Sequence, residues 1–446
     1  MQTLDPLLWP DSARWGPAGL EIGGCAVTTL ARAYGTPLYV LDQATLAASA
    51  ERFRAALQRV YPGASSVHYA GKALLNVPLA RLIAAAGLGL DCVSLGEVAV
   101  ARRADLDPAQ IHLHGNAKPR AELEQALAWG IGRIVVDSLD ELRLLHELTR
   151  DRATPQPILL RLNPGVAVQT HAHIQTGQLD SKFGLPIATG MAWEAAALAL
   201  ASPGLRLVGL HAHLGSQLAD LTPFGAAIVR LAEFAAELRA RYGWTMAELS
   251  PGGGLAVPYR SGDPAPTIDD YAAALATAVM AQCQRHGLPL PRLVIEPGRA
   301  LIARAVVALY QVVAVKRIAG VRTFVAVDGG MGDNIRPALY DARYTALRAD
   351  QPGGTPARSH AAAGQELVTI VGRYCESGDV LLRDITLPPL EAGALIAVPM
   401  AGAYTLSMAS TYNLVPRPPL IAVGEGMATV LQRRETYEDL MARDSV

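Results

Sequence analysis

Between residues 67 and 295 the chain lays down eight short apolar, β-branched runs: 67–70, 88–93, 111–114, 133–137, 157–162, 207–213, 246–249 and 292–295. After each of the first seven comes a longer alanine- and leucine-rich stretch with helical spacing: 73–86, 95–104, 119–130, 138–150, 190–201, 222–242 and 267–286. Apolar residues spaced 3 to 4 apart mark one face of a helix, and short β-branched runs mark buried strands. Strict alternation of the two predicts parallel β/α units. Eight units predict a closed (β/α)8 barrel rather than an open doubly wound sheet. A further helical stretch, 43–60, leads into the first unit.

After Arg299 the pattern changes. Long helical stretches vanish, and apolar runs at 301–315, 323–327, 367–371 and 394–398 are separated by Gly, Pro and Asp turns. This reads as a second, mostly β domain. The expected organisation is an N-terminal segment over 1–42, a barrel over 43–300 and a β-rich domain over 301–446. The polar, Gly/Pro-rich stretch 349–363 reads as a mobile loop. With 446 residues, 51% of them hydrophobic, the chain can bury a large core, and its length suggests two or three domains.

Net charge is −1, which gives no broad electrostatic case for nucleic acid or an anionic membrane. Cys25, Cys92, Cys283 and Cys375 are widely spaced, forming neither a disulfide framework nor a zinc motif, and fit a reducing compartment. Asp5, Asp11 and Arg14 precede any apolar run, so no secretory signal is expected. No apolar run is long enough to span a bilayer, and a cytoplasmic protein is expected.

Barrels of this type carry their chemistry at the C-terminal ends of the strands. At or just past the ends of the eight runs stand Lys72, Asp91 with Ser94, His114 with Asn116, Asp137, Arg161 with Asn163, His213 with Ser216, Gly252-Gly253-Gly254, and Glu296 with Arg299. Lys72, taken alone, reads first as a surface charge at a loop and only second as an amine placed for chemistry. The glycine run reads either as a flexible turn or as a backbone cradle for an anion. Gly298 and Arg299 on the next strand favour a phosphate, because barrels often hold one with the loops after strands seven and eight. The pairs His171/His173 and His211/His213 raise metal binding, but no Cys or carboxylate completes a set. A flat imidazole at His213 suits stacking on an aromatic cofactor, with His211 deeper in the core. A lysine amine, a phosphate cradle and the carboxylate of Glu296 together describe a site for pyridoxal 5'-phosphate: a Schiff base at the lysine, and a proton held on the ring nitrogen.

At this point the motifs carry a resemblance along nearly the whole chain. They include YGTPLYV at 34–40, YAGKA at 69–73, HGNAKP at 114–119, SKFGL at 181–185, GLHAHLGSQ at 209–217, PGGGLAVPY at 251–259, EPGRALIA at 296–303, CESGD at 375–379 and GAYTLSMASTYN at 402–413. Taken in this order, they resemble the diaminopimelate decarboxylases, the barrel-type (fold type III) pyridoxal phosphate decarboxylases. The resemblance implies a barrel plus a β domain that takes in the N-terminal segment, and a homodimer with a shared active site. It implies conversion of meso-2,6-diaminopimelate to L-lysine and CO2, the last step of lysine biosynthesis.

Carried over by position, the resemblance makes Lys72 the Schiff-base lysine. His213 stacks on the ring, Glu296 pairs with its nitrogen, and Ser216, Gly252, Gly253, Gly254, Gly298 and Arg299 hold phosphate. Asp91 and Arg161 support the lysine side. Cys375 is the proton donor, from the partner subunit. Arg299, Arg336, Tyr340 and Glu376 bind substrate, and Tyr404 contacts both cofactor and substrate. Ser250-Pro251, Gly71 and the stretch after Asn413 depart from the family pattern.

Diaminopimelate carries a full amino-acid group at its far end. Arg299 and Arg336 suit its carboxylate and Glu376 its ammonium, whereas ornithine or lysine needs only the anion. The alternatives are a decarboxylase of another basic amino acid, possibly D-configured, a racemase, or a non-catalytic cofactor- or partner-binding homologue. The racemase needs a base on each ring face, and Cys375 stands where a tyrosine base is wanted.

Overall fold

The computed structural model describes residues 4–166, 181–351 and 364–445. The chain divides into two compact units. One comprises Ala50–Val257 and Pro264–Ala300; the other comprises Met1–Ser49, Pro258–Asp263 and Leu301–Val446.

The first unit is a closed barrel. Its strands are β1 (Ser65–Ala70), β2 (Gly89–Cys92), β3 (Ile111–Leu113), β4 (Arg133–Val136), β5 (Gln156–Asn163), β6 (Leu205–His211), β7 (Glu248–Gly252) and β8 (Arg292–Ile295). Neighbours pair in parallel all the way round, and β8 returns to β1 with Leu293 opposite Ser65 and Ile295 opposite Val67. The intervening helices are α1 (Val77–Ala85), α2 (Leu95–Arg103), α3 (Arg120–Trp129), α4 (Leu139–Thr149), α5 (Met191–Ala201), α6 (Thr222–Tyr242) and α7 (Ile268–His286). Side-chain caps begin several of them. Asn76, Ser94 and Ser138 each accept a backbone N–H three residues on, and Thr267 forms a reciprocal capping box with Asp270. Gly130, Gly243 and Gly287 end α3, α6 and α7 in the left-handed conformation that glycine adopts without a Cβ clash.

One strand is irregular where it matters. Pro251 has no N–H to give to a ladder. Along β7 the pairing with β8 breaks between Leu249 and Gly252. This break lies at the foot of the glycine run.

The second unit is a β structure built on the long strand Val306–Ile318. That strand pairs antiparallel with Leu38–Asp42, with Arg322–Val327 and with Leu395–Val398. Leu38–Asp42 also pairs in parallel with Leu420–Gly424, so the N-terminal strand is central in this sheet, and all five of its residues are buried. Buried phenols fasten it further. Tyr39 and Tyr310 both donate to Asp333 Oδ2, at 2.9 and 2.6 Å. The lead-in helix Gln43–Val60 crosses from this unit to the barrel. Most of the stretch read as a mobile loop lies outside the described residues.

Candidate active site

The rim of the barrel collects the residues expected from the strand ends. Lys72 is exposed in a single 3-10 turn, Gly71–Ala73, directly after β1. The turn of Gly298 packs against it: a Cβ on Gly298 would lie 3.1 Å from Ala70 Cβ and 3.2 Å from Ala73 Cβ. Arg299, buried, directs Nε and Nη2 to Ser216 Oγ at 3.3 and 3.1 Å. Ser216 stands in the loop after β6, so the ends of β6 and β8 meet at a guanidinium and a hydroxyl.

The glycine run fits so closely that side chains are excluded. A Cβ on Gly253 would lie 2.1 Å from Glu296 O, and one on Gly254 2.3 Å from Gly215 O, with Gly254 at φ +111°. Gly253 N–H reaches His213 Nδ1 at 3.4 Å, and Gly254 N–H donates to no group among the described residues. A backbone with no side chains, a free N–H and a nearby Arg–Ser pair is a donor set for a phosphate dianion.

Arg161 lies at the end of β5, with Nη1 3.3 Å from Asp137 Oδ1 and its guanidinium 4.6 Å from the Phe183 ring centroid. Gly184 N–H donates to the other oxygen of Asp137 at 3.0 Å. Asp137 therefore orients the arginine, and Phe183 of the SKFGL motif covers it. Burial in the barrel mouth and the charges of Lys72 and Arg161 push the His213 imidazole well below its ordinary pKa. A neutral, flat ring there is suited to stacking.

Below the rim the barrel interior is unusually polar. His68, Asp91, His112, His114, His211 and Glu296 are all buried. Asp91 Oδ1 lies 3.6, 3.7 and 3.5 Å from nitrogens of His68, His112 and His114, beyond hydrogen-bond range. Neither Asp91 oxygen has a hydrogen-bond partner among the described residues. Burial and the Glu296 charge raise the Asp91 carboxyl well above the usual carboxylate range. Burial holds His68 down at about 4, and His112 and His114 well below the ordinary imidazole value. Glu296 is different. Burial works against its charge, but His211, which donates from Nε2 at 3.0 Å, and the Ser250 hydroxyl, which donates from Oγ at 2.6 Å, bring it well below the carboxylate range. Two buried carboxyls are thus driven apart, Asp91 toward neutral and Glu296 toward ionised.

His68, Asp91 and His112 have the residue types of a metal site. Their geometry does not suit one. The two imidazoles lie face to face, centroids 3.9 Å apart and tilted 31°, so their in-plane lone pairs run side by side instead of converging on one ion. His211 is not simply a core residue: with His114 and Glu296 it forms a second group of metal-ligating types, so a carboxylate does complete a set, but its Nε2 is spent on a hydrogen bond to Glu296. His171 and His173 lie outside the described residues.

The barrel residues fit pyridoxal 5'-phosphate. An exposed amine, a side-chain-free cradle and an ionised buried carboxylate are the three groups its aldehyde, phosphate and ring nitrogen require. Asp137 stood among the strand-end residues of the sequence without its tie to Arg161, and Phe183 stood only within the SKFGL motif. Ser250 was visible only as an unusual residue before the glycines, and His211 only as half of a His-x-His pair.

The β unit holds the other candidates. Arg336 is buried, its guanidinium 4.5 Å from the Tyr259 centroid and 5.4 Å from that of Tyr344, and it donates Nη1 to the Tyr344 hydroxyl. Its Nε has no partner among the described residues. Cys375 and Glu376 are exposed, and Glu376 Oε1 accepts from the Tyr412 hydroxyl at 2.5 Å. Tyr340 is half-buried at the end of the short helix Arg336–Tyr340. Tyr404 holds φ +59°, a left-handed conformation costly for an aromatic residue and concentrated at functional positions.

Comparison with known proteins agrees with this chemistry. Residues 44–303 match the family described as pyridoxal-dependent decarboxylase, pyridoxal binding domain. A diaminopimelate decarboxylase of Actinosynnema pretiosum subsp. auranticum is 45% identical over 99% of this chain and 96% of its own. That of Bacillus subtilis (strain 168) is 42% identical over 95% of each. A crystal structure of diaminopimelate decarboxylase from M. jannaschii in complex with L-lysine superposes with a TM-score of 0.90 at 33% identity, covering 98% of this chain and 99% of that one.

Proposed function

The chain belongs to the diaminopimelate decarboxylases, within the pyridoxal-dependent decarboxylases, and from that premise we propose how its own side chains perform the reaction. It decarboxylates meso-2,6-diaminopimelate to L-lysine and CO2 in lysine biosynthesis, using pyridoxal 5'-phosphate. The observation that carries the residue assignments is the meeting, at one barrel mouth, of Lys72, the side-chain-free glycine cradle and an ionised Glu296.

When bound, the cofactor supplies an electron sink for the carbon that loses CO2. Lys72 Nζ holds its aldehyde end. Gly252, Gly253, Gly254, Ser216, Gly298 and Arg299 hold its phosphate. The His213 ring covers one face, kept neutral so that it adds no charge beside Lys72 and Arg161. Glu296, as a carboxylate, keeps a proton at the ring nitrogen, and Asp91 and Arg161 shape the lysine side. Arg299 and Arg336 supply the guanidinium for the distal carboxylate of the substrate, Glu376 takes the distal ammonium, and Tyr340 and Tyr404 line the substrate. Cys375 Sγ delivers the proton that replaces CO2.

Cys375 and Glu376 act from the partner copy of a homodimer. No helix among the described residues is long and apolar enough to cross a membrane. We place the enzyme in the cytoplasm, in keeping with four cysteines that are all free.

The test is CO2 release and product identification with holoenzyme on meso-diaminopimelate, L- and D-lysine, ornithine and arginine, with Lys72→Ala as control. L-lysine from meso-diaminopimelate is expected, with one proton taken up per CO2. Faster turnover of ornithine or lysine overturns the substrate assignment, and an unchanged visible absorption band in Lys72→Ala overturns the role of Lys72.

A further inference from the structure

Two side chains that the reaction above leaves unused grip the Glu296 carboxylate from opposite oxygens. Ser250 is fully buried, and its Oγ lies 2.6 Å from Glu296 Oε1 and 3.1 Å from Gly252 N. A backbone N–H can only donate, so the serine oxygen accepts there and commits its own proton to Glu296. His211, on β6, brings Nε2 to 3.0 Å from Oε2. An ionised carboxylate only accepts, so the hydrogen sits on Nε2, and Nδ1 has no partner among the described residues.

The local backbone explains why Ser250 is available. Pro251 interrupts the β7–β8 ladder, and Gly252 N–H turns to the serine oxygen. One hydroxyl therefore joins the first glycine of the phosphate cradle to the carboxylate at the other end of the site. A serine with only a packing role would need a single acceptor, which any nearby carbonyl supplies. This one is oriented by a donor on one side and spends its proton on a buried charge. Each Glu296 oxygen retains a second lone pair, so both grips leave room for the ring nitrogen.

We propose that Ser250 and His211 are positioning residues that keep Glu296 ionised and aimed, and thereby keep the proton on the ring nitrogen of the cofactor; this rests on the functional reading above. The groups facing the carboxylate from neighbouring elements include His114, 3.9 Å away, Asp91 on β2, His68 on β1, His112 on β3, Arg161 on β5, His213 beyond β6 and Tyr271 on α7. The side-chain hydrogen bonds found on Glu296 among the described residues are those of Ser250 and His211.

The experiment uses holoenzyme loaded with pyridoxal 5'-phosphate carrying 15N in the ring, and reads protonation of that nitrogen by NMR at one fixed pH. Wild type, Ser250→Ala, Ser250→Thr, His211→Leu and Glu296→Gln are compared as lysine-bound holoenzyme, verified by the visible absorption band. Ser250→Ala and His211→Leu are expected to move the signal toward the unprotonated nitrogen. Their kcat should fall by roughly ten- to a hundredfold, the factor for one hydrogen bond to a charged group, with KM little changed. Recovery of the wild-type signal by Ser250→Thr supports the role of the hydroxyl. If His211→Leu does not fold, the Ser250 pair decides. A ring nitrogen as protonated in Ser250→Ala as in wild type, while Glu296→Gln loses the proton, overturns the proposal alone. A proton retained in Glu296→Gln overturns the reading of Glu296 itself, and the proposal with it.

Discussion

His68 illustrates how much a single buried side chain can contribute to the acid behaviour of the barrel. Burial holds its imidazole at about 4 against 6.5 for an exposed histidine. Above pH 6.5 it is neutral in both folded and unfolded chains and costs nothing. Below that, the unfolded chain takes up a proton that the folded chain refuses, so stability falls as pH drops through the window from 6.5 to about 4. The loss is about 3 kcal/mol at the bottom of the window. His112, His114 and His213 act in the same direction. Replacing His68 by Phe is expected to flatten the pH dependence of the unfolding free energy between pH 6.5 and 4, as measured by urea titration. An unchanged slope would refute the assignment. Residue type at this position was readable in the sequence, but its company was not: His68, Asp91 and His114 stand one β/α unit apart in the chain and meet because three neighbouring parallel strands point these side chains into the barrel.

Loops that join strands to helices can be tested one at a time. In the glycine run, Gly253→Ala places a Cβ within 2.1 Å of the Glu296 carbonyl oxygen, which the rigid β8 end cannot move away from. Displacement of the cradle is expected to weaken cofactor affinity by roughly ten- to a hundredfold, the factor for one hydrogen bond to a charged phosphate, measured by fluorescence titration of the apoenzyme. After β3, Lys118 is buried and donates to Gly115 O, Val135 O and Glu141 Oε1 at 2.6, 2.8 and 2.8 Å. Glu141, in α4, also accepts from Asp137 N at 3.1 Å. This pair ties the HGNAKP loop to α4, and through Asp137 to Arg161. Lys118→Met leaves Glu141 charged and unpaired, and is expected to cost about 3–5 kcal/mol. The double variant Lys118→Met/Glu141→Leu should recover most of that loss, since removing both partners leaves no buried charge. Equal stability of Lys118→Met and the double variant would show that Lys118→Met leaves no buried unpaired charge on Glu141. The elements themselves were legible from periodicity: the stretch read as a helix over 222–242 is α6 (Thr222–Tyr242) in the structure. Lys118 was not legible, because a lysine in a polar loop carries no mark of burial in its own sequence.

For the molecule as a whole, the proposal that Cys375 serves the partner's Lys72 predicts complementation. Lys72→Ala and Cys375→Ala are each expected to be inactive as homodimers. Equal mixing after subunit exchange should restore about a quarter of wild-type activity, because half the dimers are then hybrids with one intact site of two. No recovery in hybrids shown to form by native mass spectrometry would place the cysteine and lysine of each site in one chain. The amino-acid sequence by itself determined the barrel, the β-rich second domain and the rim set from Lys72 to Arg299, because strand and helix periods and strand-end positions are local properties of a chain. It could not determine which of those groups are charged, or what holds them. Asp91 and Glu296 are both carboxylates at strand ends, yet one is driven toward neutral and the other toward ionised. That difference comes from Ser250 and His211, brought onto Glu296 from β7 and β6, and from the absence of any such donor on Asp91 among the described residues. Desolvation and hydrogen bonding across a closed barrel depend on which strands become neighbours, and only the tertiary structure decides that.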